Sequence, residues 1–213
     1  MRISGRMKKN INDFLYHFFI LFFGFFMIYP LLWMLSASFK NNTEIFTGLG
    51  FFPKELHFEN YIIGWRGVSG FVFGRFLFNT FLIAVICIIG NIISCSMAAY
   101  AFSKLKFKLS KILFSIVLLT LMLPFHVKLI PQYIIFLRLG WVNTFLPLTV
   151  PRFFAVEGFY IFLLVQFMRT ISNELLEAPR IDGCNTFDIY IRFMMPLSSP
   201  ALVTVAIFTF IRT

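Results

Sequence analysis

The side chains able to do chemistry are few and scattered. His17, His57 and His126 do not cluster, so neither a metal centre nor a nucleophile–base arrangement is suggested. The three cysteines are an odd number without paired spacing, and Cys87 and Cys95 lie inside one apolar run, which argues against both a disulfide framework and a metal site. Arg152 and Glu157 are charges within an otherwise apolar stretch, an expensive placement that makes them candidates for a functional role. Arg152 follows Pro151 near one end of the stretch and reads first as an interfacial anchor. Glu157 lies about 7 Å further along if the intervening segment is helical. It could pair with Arg152, line a polar path together with Asn79, or meet a charge on a neighbouring subunit. The richest polar segment is the run from Ile171 to Leu197, where acidic, basic and apolar residues mix over two short helical patterns.

The elements that must position these residues belong to a membrane. Of 213 residues, 59% are hydrophobic and 13% charged, and 32 are phenylalanine. Ordinary soluble domains are about half apolar and a quarter charged, so much of this surface must face lipid and a soluble enzyme is excluded. The net charge of +10 sits in short clusters between apolar runs rather than in one stripe, which disfavours nucleic acid. Uncharged runs predict transmembrane helices over 14–39, with a kink at Pro30, and over 76–102, where Gly90, Ser94, Ser96, Ala98 and Ala99 suit close packing. A third, over 112–127, is flanked by Lys111 and Lys128, and a fourth lies within 144–168 but is interrupted by Pro147, Pro151, Arg152 and Glu157. A fifth begins near Pro196, and after Pro200 only residues 201–211 precede Arg212, a helix of about 16 Å against a core of about 30 Å. The expectation is an incomplete polypeptide that stops inside a membrane helix.

Basic residues set the direction. Arg2, Arg6, Lys8 and Lys9 precede the first span, and Lys104, Lys106, Lys108 and Lys111 follow the second, so both segments are expected in the cytoplasm. Segments 40–75 and 128–143 are then external and 169–197 is cytoplasmic. The predicted organisation is an N-terminal tail, first helix and external loop over 1–75, followed by a core over 76–213. Asn79 and Asn91 are expected to hydrogen-bond between helices, and Trp65 and Trp141 to mark interfaces.

Within the cytoplasmic loop, Ser172 or Asn173 caps a helix whose first turns carry Glu174 and Glu177. Gly183 is the natural stop. A second helix from Asn185 or Thr186 would place Phe187, Ile191 and Met194 or Met195 on one side, and Pro196 would end it. Two amphipathic helices joined at a glycine are what a mechanical contact to a soluble partner requires.

The order Glu177-Ala178, Gly183, then Pro196 at its spacing resembles the EAA motif of binding-protein-dependent ABC-importer permeases. The string Glu174-Leu-Leu-Glu-Ala178 with Arg180-Ile-Asp-Gly183 resembles the carbohydrate branch, specifically the maltose-type second permease subunit. Leu31 to Leu35, Phe58 to Tyr61, Asn79-Thr80, Ala98 to Phe102, Leu129 to Tyr133 and Asn143-Thr144 extend the likeness in order over nearly the whole chain. Pro179 stands where a second alanine is usual and should kink or delay the first helix. Cys184 replaces a small residue, and Phe193 and Met195 an aliphatic pair. The resemblance implies an all-α polytopic fold of the type I importer kind in a bacterial inner membrane, with the N-terminus in the cytoplasm. It implies no catalysis and no cofactor on this chain. ATP would belong to two cytoplasmic ATP-binding subunits, and a second permease subunit and an extracytoplasmic solute-binding protein would complete the assembly. Glu174, Glu177, Ala178, Pro179, Arg180, Asp182, Gly183, Phe187 and Pro196 would couple to the ATPase. The chain has no Gly-x-x-x-x-Gly-Lys-Ser/Thr loop of its own. The other readings are a secondary transporter or channel subunit, a membrane enzyme, and a non-functional truncated permease product.

Overall fold

A computed structural model describes residues 3–48, 50–67 and 70–213; Arg2 lies outside the described residues. The chain divides into two compact units, Met1–Arg75 and Phe76–Thr213.

The first unit is led by α1 (Ile3–Ala37), with Pro30 inside it. No residue in the most apolar stretch of its span, Asn12–Ala37, is buried within the chain. A helix apolar on every side and left largely exposed by the rest of its unit suits lipid. Beyond it come two short helices, α2 (Asn42–Thr47) and α3 (Glu59–Arg66), of which α3 is held by side-chain bonds to the chain leaving α1. Asn60 donates to the carbonyls of Ser38 (3.0 Å) and Lys40 (2.9 Å), and the buried Lys40 ammonium donates to the Gly50 carbonyl. Trp65 packs edge-on against Phe73.

In the second unit the spine is α4 (Phe73–Lys104), whose small and polar residues Cys87, Gly90, Asn91, Cys95, Ser96 and Ala99 are buried. A side chain at Gly90 would meet the Phe153 ring at 3.0 Å, so the absence of Cβ permits that approach. Next comes α5 (Ser110–Leu121), then α6 (Phe125–Arg138), bent 104° from α5 across the break. The expected span over 112–127 therefore ends at Leu121, and Lys111 and Lys128 do not flank one helix. Pro124 explains the turn: it has no amide hydrogen to continue the ladder and opens α6 at its N-terminus instead. Much of the supposed external loop 128–143 is α6 itself.

The fourth apolar stretch is broken. α7 (Leu146–Thr149) runs into a 3-10 turn over Val150–Phe154, Ala155 takes a left-handed conformation (φ 53°), and α8 (Gly158–Thr170) follows. Gly158 lets α8 lie directly on α5: a Cβ there would fall 2.9 Å from Thr120 Oγ1 and 3.2 Å from the Val117 carbonyl. We expect Gly158→Leu to destabilise this unit by about 1–3 kcal/mol, the range for overpacking, measured as a fall in the thermal midpoint of detergent-solubilised protein. An unchanged midpoint would show that α5 and α8 part freely.

The rest is α9 (Glu174–Ile181), α10 (Thr186–Ile189), a π turn over Tyr190–Met194, α11 (Met195–Leu197) and α12 (Ser199–Arg212). The segment Thr186–Leu197 meets α12 at 76°, with Pro200 in the first turn of α12. Cys95, Tyr160, Leu164, Val165, Met168, Met194 and Val205 form the core joining α4, α8 and the segments around α12. Among the described residues, three helical segments are long and apolar enough to cross a membrane, and up to five if each bent pair counts as one span.

Candidate functional site

The loop between α8 and α12 is built from two short helices anchored from below. Leu176 and Pro179 of α9 are buried, as are Ile189 of α10 and Tyr190 and Met194 of the π turn. Glu174, Leu175, Glu177, Ala178, Arg180, Ile181, Asp182 and Gly183 are exposed, and so are Phe187 and Pro196. One face grips the core while the other presents alternating charges and apolar side chains to the outside. Leu175, Ile181 and Phe187 form the apolar part of that outer face, with Ile181 86% exposed.

Local chemistry accounts for the geometry. The Asn185 side chain accepts hydrogen bonds from the amides of Phe187 and Asp188, both at 2.9 Å, which caps α10. Gly183 adopts φ 84°, a left-handed turn that only glycine takes without strain. The Cys184 amide donates back to the Pro179 carbonyl at 2.9 Å, closing the turn over the end of α9.

Three expectations for this loop are corrected. Pro179 neither delays α9, which begins at Glu174, nor stands at its edge; it lies inside the helix with its ring buried. Because its ring packs into the core, the missing amide is offset by apolar contact. Of the two alternatives Met194 and Met195, Met194 does not share a face with Phe187 and Ile191: both of those are exposed and Met195 is half-buried, while the inward set is Ile189, Tyr190 and Met194. The π turn inserts the extra residue that shifts the register. Pro196 does not end the second helical segment, which runs on through Leu197.

Residues outside the motif hold the loop in place. The Lys104 ammonium, at the end of α4, donates to the Ile171 carbonyl and to Asn173 Oδ1 (3.0 Å). Asn173 is thereby occupied and does not cap α9 through its side chain; Ser172 Oγ accepts from the Glu174 amide at 3.3 Å. Ser96 and Tyr190 share a buried hydroxyl–hydroxyl bond of 2.6 Å, and the Tyr100 hydroxyl donates to the Thr186 carbonyl at 3.3 Å. Sequence reasoning missed these anchors. Ser96 was visible as a small residue in an apolar run, but nothing in its spacing pointed to Tyr190.

Beside the middle of α4 the structure brings Arg152 and Glu157 into an ion pair. They are not stacked along a helix. The left-handed Ala155 interrupts the helix between them, so Glu157 precedes α8 and its carbonyl accepts from the amides of Tyr160 and Ile161. The Arg152 carbonyl accepts from Ser94 Oγ at 2.7 Å, which ties the turn to α4. Asn91 donates to Thr209 Oγ1 at 3.1 Å, joining α4 to α12. A cavity of about 260 Å³ opens here, with Thr80, Cys87, Arg152, Arg212 and Thr213 on its wall. Asn79 is half-buried beside it but is not part of its lining, and neither is Glu157.

Known proteins share this architecture. The sequence profile described as binding-protein-dependent transport system inner membrane component matches residues 90–213. A putative ABC transporter permease of a Caldicellulosiruptor strain is 36% identical over 84% of this chain and 64% of its own length. The arabinooligosaccharides transport system permease AraQ of Halalkalibacterium halodurans is 31% identical over 87% of this chain and 66% of its own. The chain thus spans just under two thirds of the length of these curated relatives. A bacterial ABC transporter involved in the import of the acidic polysaccharide alginate has the same fold, with a TM-score of 0.82 over 96% of this chain and 71% of its own, at 24% identity.

Proposed function

The chain belongs to the family of binding-protein-dependent transport system inner membrane components, and from that premise we propose that it is a permease subunit of an ATP-driven importer of carbohydrates. The solute class is drawn from relatives such as the arabinooligosaccharide permease. In this reading a second permease subunit completes the path, a solute-binding protein delivers the solute from outside, and two cytoplasmic ATP-binding subunits drive the cycle. The N-terminus and the loop 169–197 face the cytoplasm.

The observation that carries the reading is the two-faced loop. Its inner side chains, Leu176, Pro179, Ile189 and Tyr190, are packed into the core, while Glu174, Glu177, Arg180, Ile181 and Phe187 are displayed. A groove on an ATP-binding subunit that receives Leu175, Ile181 and Phe187 can push the loop. Because the inner face is interlocked with α4 and α8, the push reaches the spans as a rigid displacement. An intrinsic ion-relay mechanism would need several charged groups in series; Arg152 and Glu157 make one local pair at the start of one helix.

The test is site-directed cross-linking. With Ile181→Cys or Phe187→Cys, we expect bifunctional thiol reagents to join the chain to the ATP-binding subunit, with a yield that changes at least about threefold between nucleotide-free and ATP-bound complexes. Membrane-impermeant thiol reagents should reach these positions only in inside-out vesicles. Labelling from the outer face would overturn the proposal.

A further inference from the structure

The turn between α4 and α5 gathers positive charge at one end of an apolar stripe. Leu105, Lys106, Phe107, Lys108, Ser110 and Lys111 line an open recess of about 650 Å³. Its shape is held from behind. The Phe102 ring packs against Phe107 (6.0 Å between ring centres) and Phe114 (5.5 Å), and the Ser110 amide donates to the Phe107 carbonyl at 3.2 Å. Arg169, in the last turn of α8, holds its guanidinium 5.2 Å from the centre of the Phe114 ring and brings a fourth cation to this side of the unit. Lys104 is already engaged, its ammonium bound to Ile171 and Asn173.

The charge here has one sign. The sequence contains no acidic residue between Glu59 and Glu157. Among the described residues, no carboxylate lies within ion-pair distance of Lys106, Lys108, Lys111 or Arg169. Along α5 the surface changes character. Leu109, Ile112, Leu113, Ile116 and Leu119 are exposed, and steps of three and four residues put them on one side of the helix. From Leu109 to Leu119 the stripe runs about 15 Å at 1.5 Å per residue, the depth of one leaflet in a hydrocarbon core of about 30 Å. A soluble partner can meet the lysines but not a stripe that lies in hydrocarbon. A lipid with an anionic headgroup can meet both, and basic recesses at the ends of membrane helices suit such headgroups.

We propose that this recess binds an anionic phospholipid. Lys106, Lys108 and Lys111 hold the headgroup phosphate, and an acyl chain lies along Leu109 to Leu119. The site requires α5 in the bilayer with its first turn at the surface, and it stands apart from the permease reading.

The test is run on the protein in phosphatidylcholine nanodiscs, alone and with its ATP-binding and permease partners. Phosphatidylglycerol and phosphatidylcholine carrying the same acyl-chain diazirine are added in parallel as trace components. The ratio of photolabelling by the two lipids is compared between segments 105–121 and 12–37. We expect phosphatidylglycerol to be favoured at 105–121 by at least about tenfold, less than three lysines would give at an anionic surface without salt screening. Joint replacement of Lys106, Lys108 and Lys111 with glutamine should abolish the preference while phosphatidylcholine still labels the segment, the sign that α5 remains in the bilayer. Joint replacement with arginine should retain it. Inorganic phosphate should not compete, because it has no chain for the stripe to hold.

A preference untouched by the glutamine variant would overturn the proposal. Equal enrichment at 12–37 would do the same, since it would mark general attraction to a basic protein. So would competition by inorganic phosphate, or a preference present in the chain alone and lost in the assembly, where an acidic surface of a partner would occupy the lysines. Labelling at 105–121 involves neither Ile181 nor Phe187, so this inference and the permease reading fail separately.

Discussion

Replacing Gly183 with valine is expected to cut ATP-driven uptake by at least about tenfold while leaving the amount of protein in the membrane unchanged. The reason lies in the backbone. A Cβ at Gly183 would meet nothing within 4 Å, so no clash opposes the substitution. What opposes it is φ 84°, a left-handed conformation that costs an ordinary residue about 1–2 kcal/mol and a β-branched one more. The chain relieves that strain by opening the turn. Because α9 is anchored through Leu176 and Pro179, and the following segment separately through Ile189 and Tyr190, opening the turn changes the angle between two helices that stay attached to the core. An ATP-binding subunit shaped for the original angle would then lose its fit, and about 1.4 kcal/mol of lost fit is already tenfold. Gly183→Asn, which tolerates the left-handed region, should keep uptake within about threefold of the parent. The informative pair is therefore valine against asparagine, in reconstituted vesicles, with uptake and ATP hydrolysis measured together. Wild-type uptake with valine would show that the angle at Gly183 does not matter to coupling.

How far the sequence reveals this loop depends on the range of the interactions involved. Gly183 was legible because a left-handed turn between two helical patterns has a local signature. The start of α9 and the cap at Asn185 were legible for the same reason. The inward face of the second helical segment was not. A regular helical period puts Phe187 and Ile191 with Met194 or Met195, but the π turn over Tyr190–Met194 adds a residue and turns Met194 and Tyr190 inward, Tyr190 to Ser96. That bond joins residues 94 positions apart, and no spacing within the loop encodes it. Pro179 follows the same logic: its cost is a local property, whereas the burial that offsets it belongs to the tertiary packing.

The spans divide in the same way. Those over α1 and α4 were readable because continuous apolarity is itself the signal. The third was misjudged where the chain turns at Pro124, whereas the interruption of the fourth by Pro147, Pro151, Arg152 and Glu157 was legible and only the left-handed turn at Ala155 was not. The break around 150–157 is tolerated because it is held from outside: Gly90 admits Phe153, and Ser94 binds the Arg152 carbonyl. Irregular backbone at membrane depth is tolerated where protein or a cavity satisfies it, and α4 supplies that support. The small residues of α4, readable as a packing stripe, therefore have a second role as the seat for the broken segment 150–157.

The seat makes a strong prediction about the charges it holds. Glu157→Gln is expected to destabilise the second unit by about 1–3 kcal/mol, less than the full penalty of about 2.5–3.5 kcal/mol for a lone arginine at the bilayer centre. The discount follows from exposure: the side chains of Arg152 and Glu157 keep 29% and 28% of their accessible surface. Arg152→Gln should cost less than Glu157→Gln, because a lone carboxylate just ahead of α8 is still favoured by the positive end of that helix. The double variant should recover most of the loss, since neither charge is then stranded. The buried thiols of Cys87 and Cys95 give the readout, becoming reactive toward maleimides only as the packing around α4 opens. If the two single variants proved additive in that assay, the pair would carry no coupling energy. The left-handed turn at Ala155 would then be held by Ser94 and Phe153 alone.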